Sequence, residues 1–270
     1  MDQEALDLSR VFSLKFRDQD VFEGTSPPYA WGYGYGGLVV AQALWAATHT
    51  VAETLSAHSL HAYFVRACSL QEPIRYSVFR VRDGRSFATR RVSAVQSVGE
   101  ILTMLCSFHI GEDGPAVAEA VFPGELDGPE KVSGRFDAGV ERRDCVFSSD
   151  PPRVATWTQF PMPLEEDPRL HACALAYLSD LNAIDAAVAA HPDPPEAGQW
   201  SAAHACVSLD HSVWFHRPTR AEDWLLFDLT GKNFEGVRAF ATGRVFERSG
   251  GQVATVAQEG LFRPRQQPPG

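Results

Sequence analysis

The chain lacks the features that would direct it out of a cell, into a bilayer or onto nucleic acid. Its five cysteines, Cys68, Cys106, Cys145, Cys173 and Cys206, are an odd set with no Cys-x-x-Cys spacing, which argues against a disulfide framework and a zinc ribbon. They read as reduced thiols of a cytoplasmic protein. No run of Lys and Arg interrupts the acidic balance: 24 basic against 34 acidic residues leave a net charge of −10, so phosphate backbones and anionic lipid meet repulsion. The longest apolar stretch, Leu38 to Ala47, is broken by Gln42 and reaches about half of a bilayer crossing. Met1-Asp2-Gln3-Glu4 is acidic where a secretory signal is basic. The expectation is a soluble globular protein with no nucleic-acid partner and no membrane span.

What is present falls into two similar stretches. After an amphipathic start closed by Ser26-Pro27-Pro28 comes an aromatic, Gly-rich segment, Tyr29 to Gly37. It lacks the Lys-Ser/Thr of a phosphate loop and has no strand signal before it, so close backbone packing is the better reading. Leu38 to about Thr54 is apolar on most faces and predicts a buried helix. Strand patterns follow at 58–66, 74–82, 86–96 and 100–109, with Asp83-Gly84 as a turn. Residues 111–170 hold eight prolines and read as a connector with one strand, 154–160. A second Ala-rich helix is predicted at 171–190 from Leu175, Leu178, Leu181, Ile184 and Val188. Strand patterns then return at 204–214, 224–229, 238–247 and 252–262, ahead of a polar tail expected to be disordered, 264–270. The division is 1–110, 111–170, 171–263 and 264–270.

The two stretches share residues as well as order. His58-Ser59 and His211-Ser212 open matching segments, and Ala57 to Cys106 spans nearly the same length as Asp210 to Gln258. Where the first copy has Ala57 and Cys106, the second has Asp210 and Gln258. Both polar residues lie in apolar strand sequence, where an uncompensated carboxylate or amide is costly to bury. That contrast marks them as functional candidates. A cap on the strand backbone is the alternative for Asp210.

At these residues the chain resembles the acyl-CoA thioesterase II family of double hotdog proteins. The resemblance covers most of the chain and rests on several segments: Gly36 to Leu44, His58 to Phe64, Arg82 to Val92, Ser179-Asp180-Leu181-Asn182, Asp210 to Pro218, and Gln258-Glu259-Gly260. It implies an α+β fold, a double hotdog with two repeats of a buried helix wrapped by an antiparallel sheet. It also implies hydrolysis of acyl-CoA to free acid and coenzyme A, without metal or cofactor, by a water held by Asp, Ser or Thr, and Gln in the second unit. Asp210 and Gln258 match two of these. The hydroxyl follows Trp224-Leu225-Leu226, where Thr230 is the nearest candidate and an ungapped match falls on Lys232 or Asn233. An acyl-carrier-protein substrate and a non-catalytic acyl-CoA-binding role are the alternatives, and the sheet edges allow a homo-oligomer.

Thioester hydrolysis needs a positioned water, a proton acceptor and donors for the carbonyl oxygen. Asp210 suits the acceptor, Gln258 and Thr230 the water cage, and a helix N-terminus such as Gly36-Gly37 the oxyanion donors. Substrate-binding candidates are therefore Gly37 and, for the phosphates, Arg82, Arg85, Arg90 and Arg91. Asp210-His211-Ser212 is no triad, because neighbours on a strand face opposite ways. The histidines have no ligand cluster beside them and read as core or interface residues. Cys106 reads as packing.

Overall fold

The computed structural model describes residues 6–8, 10–117, 120–194 and 204–264. A β-hairpin comes first, β1 (Lys15–Asp18) and β2 (Val21–Gly24), turned at Asp20 with φ 57°. Helix α1 (Gly36–Thr48) follows, and then β3 (Ser56–Phe64), β4 (Ile74–Asp83), β5 (Phe87–Gln96) and β6 (Gly99–His109). Helix α1 stops earlier than its apolar run predicts. Arg90 reaches from β5 to the residues just beyond it, donating from Nε to Thr50 Oγ1 and from Nη2 to the Thr50 carbonyl. Those bonds satisfy a carbonyl near the helix end from outside and turn the chain.

Residues 111–170 are more structured than a connector. They carry β7 (Gly134–Asp137), β8 (Val140–Ser149) and β9 (Pro152–Gln159), and β9 pairs with β12 (Leu225–Glu235). Proline obscured them: Pro151 and Pro152 lie at the β8–β9 turn, where no ladder donor is needed. Helix α2 (Pro168–Ala189) starts on an Asp167 N-cap that accepts from Arg169 N, with Pro168 in its first turn. After it come β10 (His204–Ser208), β11 (Asp210–Phe215), β12, β13 (Arg238–Glu247) and β14 (Gln252–Pro264). The expected disordered tail falls, apart from Pro264, outside the described residues.

All fourteen strands form one antiparallel sheet in the order β1-β2-β4-β5-β6-β3-β11-β14-β13-β12-β9-β8-β7, with β10 also on β14. Outward from the β3–β11 seam the order runs alike as β3-β6-β5-β4-β2-β1 and β11-β14-β13-β12-β9-β8, with β7 added at one edge, and at the seam Leu60 faces Val213, both fully buried. Helix α1 packs against β2 to β6, α2 against β8 to β14, and the two helices meet each other. Helix α2 is the described helix long and apolar enough to cross a bilayer, yet 94% of that window is buried inside this protein, as befits a core helix. Gly37 lets α1 approach α2: a Cβ there would lie 2.5 Å from the Tyr177 carbonyl. Tyr35 donates to that carbonyl at 2.7 Å, and Tyr177 Oη donates to Ala138 O at 2.6 Å. The aromatic, Gly-rich segment thus docks one helix on the other.

Candidate active site

Strand β14 reads Gln-Val-Ala-Thr-Val-Ala-Gln-Glu-Gly, with Val256 and Gln258 both fully buried. An amide there without partners costs about 1–3 kcal/mol. Gln258 is bonded at both ends. Its Oε1 lies 2.5 Å from His211 Nδ1, and its Nε2 donates to Ser208 Oγ at 2.7 Å. Ser208 in turn donates to Asp180 Oδ1 on α2 at 2.7 Å. On the other side, His211 Nε2 lies 2.8 Å from Ser179 Oγ, one residue before Asp180. The result is a buried chain Ser179, His211, Gln258, Ser208, Asp180, with Asp180 only 3% exposed.

Burial pushes the His211 imidazole below its ordinary pKa, against the opposing pull of Asp180, Gln258 and Asp210. It is therefore neutral at pH 7 and carries one ring proton. Asp210 lies where the ladder to β14 changes register. Ser208 faces Gly260 but Ser212 faces Ala257, so the β10–β11 side has one residue more than β14 between those pairs. At this bulge the Asp210 carboxylate takes over as acceptor for the backbone N–H of Glu259, at 2.7 Å. That places it beside the residue next to Gln258. The start of α1 meets the same region: a Cβ on Gly36 would lie 2.8 Å from Asp180 Oδ2, and the N-cap Tyr35 makes no side-chain capping bond. Helix α2, by contrast, is capped by Asp167.

The structure sets the Asp210 carboxylate on the backbone of Glu259, next to Gln258, and the Gly36-Gly37 turn against Asp180, which Ser208 links to Gln258. The backbone bond is the strand-cap role weighed for Asp210, and the other candidates lie apart. Thr230 lies in register with Thr242 and Ala257, one residue out of phase with the Gly231, Ala241, Gln258 row, so its hydroxyl is on the opposite face. Gly231 holds the inward place and is crowded by α2, since a Cβ there would come within 2.5 Å of Ala186 O. Arg90 is fully buried, its guanidinium taken up by Thr50, Asp83 and the carbonyls of Arg82 and Thr89. No phosphate reaches it. Arg82 and Arg85 are exposed at the β4–β5 hairpin, where Asp83 aligns through Ala88 and Phe108 with Ala57. Asp210 faces Tyr63, six residues farther along β3, or about 20 Å at strand rise. Arg91 is exposed over the Phe79 ring, 4.3 Å away.

Ser208, Asp180 and Ser179, which the buried chain joins to Gln258, were not candidates from sequence, and His211 read there as a core or interface histidine. The register also revises the repeat. Leu60 faces Cys106 and Val213 faces Val256, so counting from the seam, Phe108 rather than Cys106 is the counterpart of Gln258. The contrast survives, because Phe108 is a fully buried hydrocarbon. Burial raises the Cys106 thiol to about 12, which leaves it inert as a nucleophile. Among the described residues no cluster of three or more His, Cys, Asp or Glu has the spacing of a metal site.

Comparison with known proteins places this geometry. Residues 150–261 match the family model described as acyl-CoA thioesterase, and residues 25–109 match the acyl-CoA thioesterase N-terminal domain. The chain is 31% identical to human acyl-coenzyme A thioesterase 8 over 98% of its own length and 92% of the relative's. It is 30% identical to acyl-CoA thioesterase 2 of Haemophilus influenzae, over 95% of this chain and 96% of that one. The crystal structure of acyl-CoA thioesterase II TesB2 from Mycobacterium marinum superposes with a TM-score of 0.82 at 32% identity, covering 96% of this chain and 99% of the other. A hot dog fold protein from Alicyclobacillus acidocaldarius, 19% identical, has a TM-score of 0.80 over 96% of this chain and 98% of its own, a likeness of fold. The chain therefore belongs to the acyl-CoA thioesterase II family and is an α+β hotdog thioester hydrolase.

Proposed function

We propose that this protein hydrolyses acyl-CoA to free acid and coenzyme A, with the attacking water held by Asp210 and Gln258 in the second of two hotdog units. The matching strand order on either side of the seam supports two units, each a helix with its own part of the sheet, and in this reading β7 to β9 go with the second. The single observation that carries the site is Gln258, a fully buried amide whose two ends are fixed by His211 and Ser208. Each end retains one bonding position, an N–H and a lone pair, which suits a water and the substrate beside it.

In this reading Asp210 accepts the water's proton as the oxygen attacks the thioester carbon. Gln258 orients that water. The oxygen of the carbonyl gains charge as the tetrahedral intermediate forms, and backbone N–H groups at the start of α1, around Gly36 and Gly37, stabilise it. The absence of a side-chain cap on α1 and the Asp167 cap on α2 favour α1 for this role. Collapse of the intermediate breaks the carbon–sulfur bond, and the proton taken up by Asp210 passes to the sulfur, so that coenzyme A leaves as the thiol and the carboxylate is restored. Ser208 provides the hydroxyl next to Gln258 that Thr230 does not.

A chain-length series of acyl-CoA substrates tests the reading. Asp210→Asn and Gln258→Ala are each expected to lower kcat by about 10²-fold or more. Wild-type turnover no faster than that of Asp210→Asn on every acyl-CoA would overturn it. The same acyl chain presented on acyl carrier protein should be the poorer substrate.

A further inference from the structure

We infer that Asp180, on the buried face of α2, is a positioning residue that sets which end of the Gln258 amide faces the reacting water. The inference rests on the reading of Gln258 given above and adds a residue outside that reading. Its basis is the direction in which protons run along the buried chain.

Asp180, as a carboxylate, only accepts. The single proton of Ser208 therefore goes to Asp180 Oδ1, at 2.7 Å. Ser208 Oγ must then accept from Gln258, which turns the amide nitrogen toward Ser208, at 2.7 Å, and the amide oxygen toward His211. An amide oxygen cannot donate, so the one proton of neutral His211 sits on Nδ1. Its Nε2 is left bare and accepts from Ser179 Oγ, at 2.8 Å. Every choice along the chain follows from the charge at its end.

The reverse direction satisfies the same atoms equally well once that charge is gone. Ser179 Oγ also lies 3.0 Å from the Ala176 carbonyl. If Ser179 donates there, His211 can donate from Nε2 to Ser179 and accept at Nδ1 from the Gln258 nitrogen. Gln258 then shows its oxygen to Ser208, which donates to it and accepts from a donor at position 180. Asp180→Asn supplies such a donor with the same shape, because the start of α1 beside the Oδ2 position favours the amide oxygen there and leaves the nitrogen for Ser208. The variant should therefore fold with its buried bonds made, while the free N–H and lone pair that Gln258 offers the water exchange places.

The test is a double-mutant cycle with an NMR readout on the full-length protein. In ¹⁵N-labelled wild type, the His211 ring nitrogens should report the Nδ1–H tautomer, and in Asp180→Asn a shift to Nε2–H. With a saturable acyl-CoA, Asp180→Asn should lower kcat at least tenfold with KM within about threefold of wild type. In a Gln258→Ala background, the same substitution should lower kcat by less than twofold, because Asp180 acts only through Gln258. An unchanged tautomer, or a full tenfold loss that persists without Gln258, overturns the inference. If Asp180→Asn does not fold, Ser208→Ala carries the same cycle, since it cuts the chain by removing one hydroxyl. A Gln258→Ala enzyme with wild-type kcat would instead refute the underlying reading of Gln258, an outcome distinct from the failure of Asp180 alone.

Discussion

Arg90 shows how far a side chain's role depends on where its strand puts it. In sequence it is one of a pair of adjacent arginines, an obvious place to look for a phosphate contact. In the fold it is completely buried and ties β5 to the end of α1 through Thr50. It also pairs with Asp83, whose side chain is 59% exposed and so contributes little of the stabilisation. Removing the guanidinium strands the Thr50 carbonyl in the core, leaves the Thr50 hydroxyl only its bond to the Ala47 carbonyl, and opens a large void. Arg90→Ala is expected to destabilise the fold by about 2–5 kcal/mol, in the range of buried-network and cavity losses. The KM for acyl-CoA should stay within twofold at a temperature where the variant is folded. Thermal unfolding and steady-state kinetics on one preparation check both halves, and a raised KM at undiminished stability would restore a phosphate-binding role.

At the scale of an element, register decides which hydroxyl belongs to the site. On β12 the inward position in the Gln258 row, two strands away across Ala241, is Gly231, pressed against Ala186 O of α2, and Thr230 falls on the other face. Thr230→Val should therefore leave kcat within twofold of wild type. Gly231→Ser, which looks like a restored catalytic hydroxyl, should instead push α2 away and destabilise by about 1–3 kcal/mol, as overpacking does. Chemical denaturation and an acyl-CoA assay of both variants test this, and a Thr230→Val enzyme disabled more than tenfold would contradict the register argument. The helices and most strands were legible because each keeps a local period, and Asp210 and Gln258 stood out as candidates because two polar residues break the pattern of apolar strand sequence. Strands β7 to β9 were not legible, because prolines mark their turns and because β8 buries Arg142 against Asp185 at 2.6 Å, a charge that reads as surface in sequence. Asp180 and Ser208 were hidden for a related reason. A lone carboxylate on a helix and a serine at a strand end look solvated until another element covers them.

For the molecule as a whole, the charge of −10 bears on how the substrate arrives. Acyl-CoA is itself a polyanion, and the exposed arginines expected to attract it, Arg82 and Arg85, lie at the far end of the strands from Asp210. Many other arginines are already paired with acids at the surface, among them Arg17 with Glu23, Arg80 with Asp20 and Arg238 with Glu259. Two further carboxylates, Asp180 and Asp210, stand at the site itself. The field that an approaching acyl-CoA meets is then repulsive, and it is carried largely by exposed charge that salt screens: the Debye length falls from about 30 Å at 0.01 M to about 8 Å at 0.15 M. In the proposed reading, binding energy comes from apolar contact with the acyl chain and from hydrogen bonds at α1, neither of which salt weakens in this range. The expected outcome is that kcat/KM for a medium-chain acyl-CoA rises, by about two- to fivefold, as ionic strength increases from 0.01 to 0.15 M, with kcat nearly constant. A fall over the same range would mean that cations at the mouth outweigh the global charge, and would direct mutagenesis to Arg66, which follows β3 and lies close to the Asp210 end of that strand.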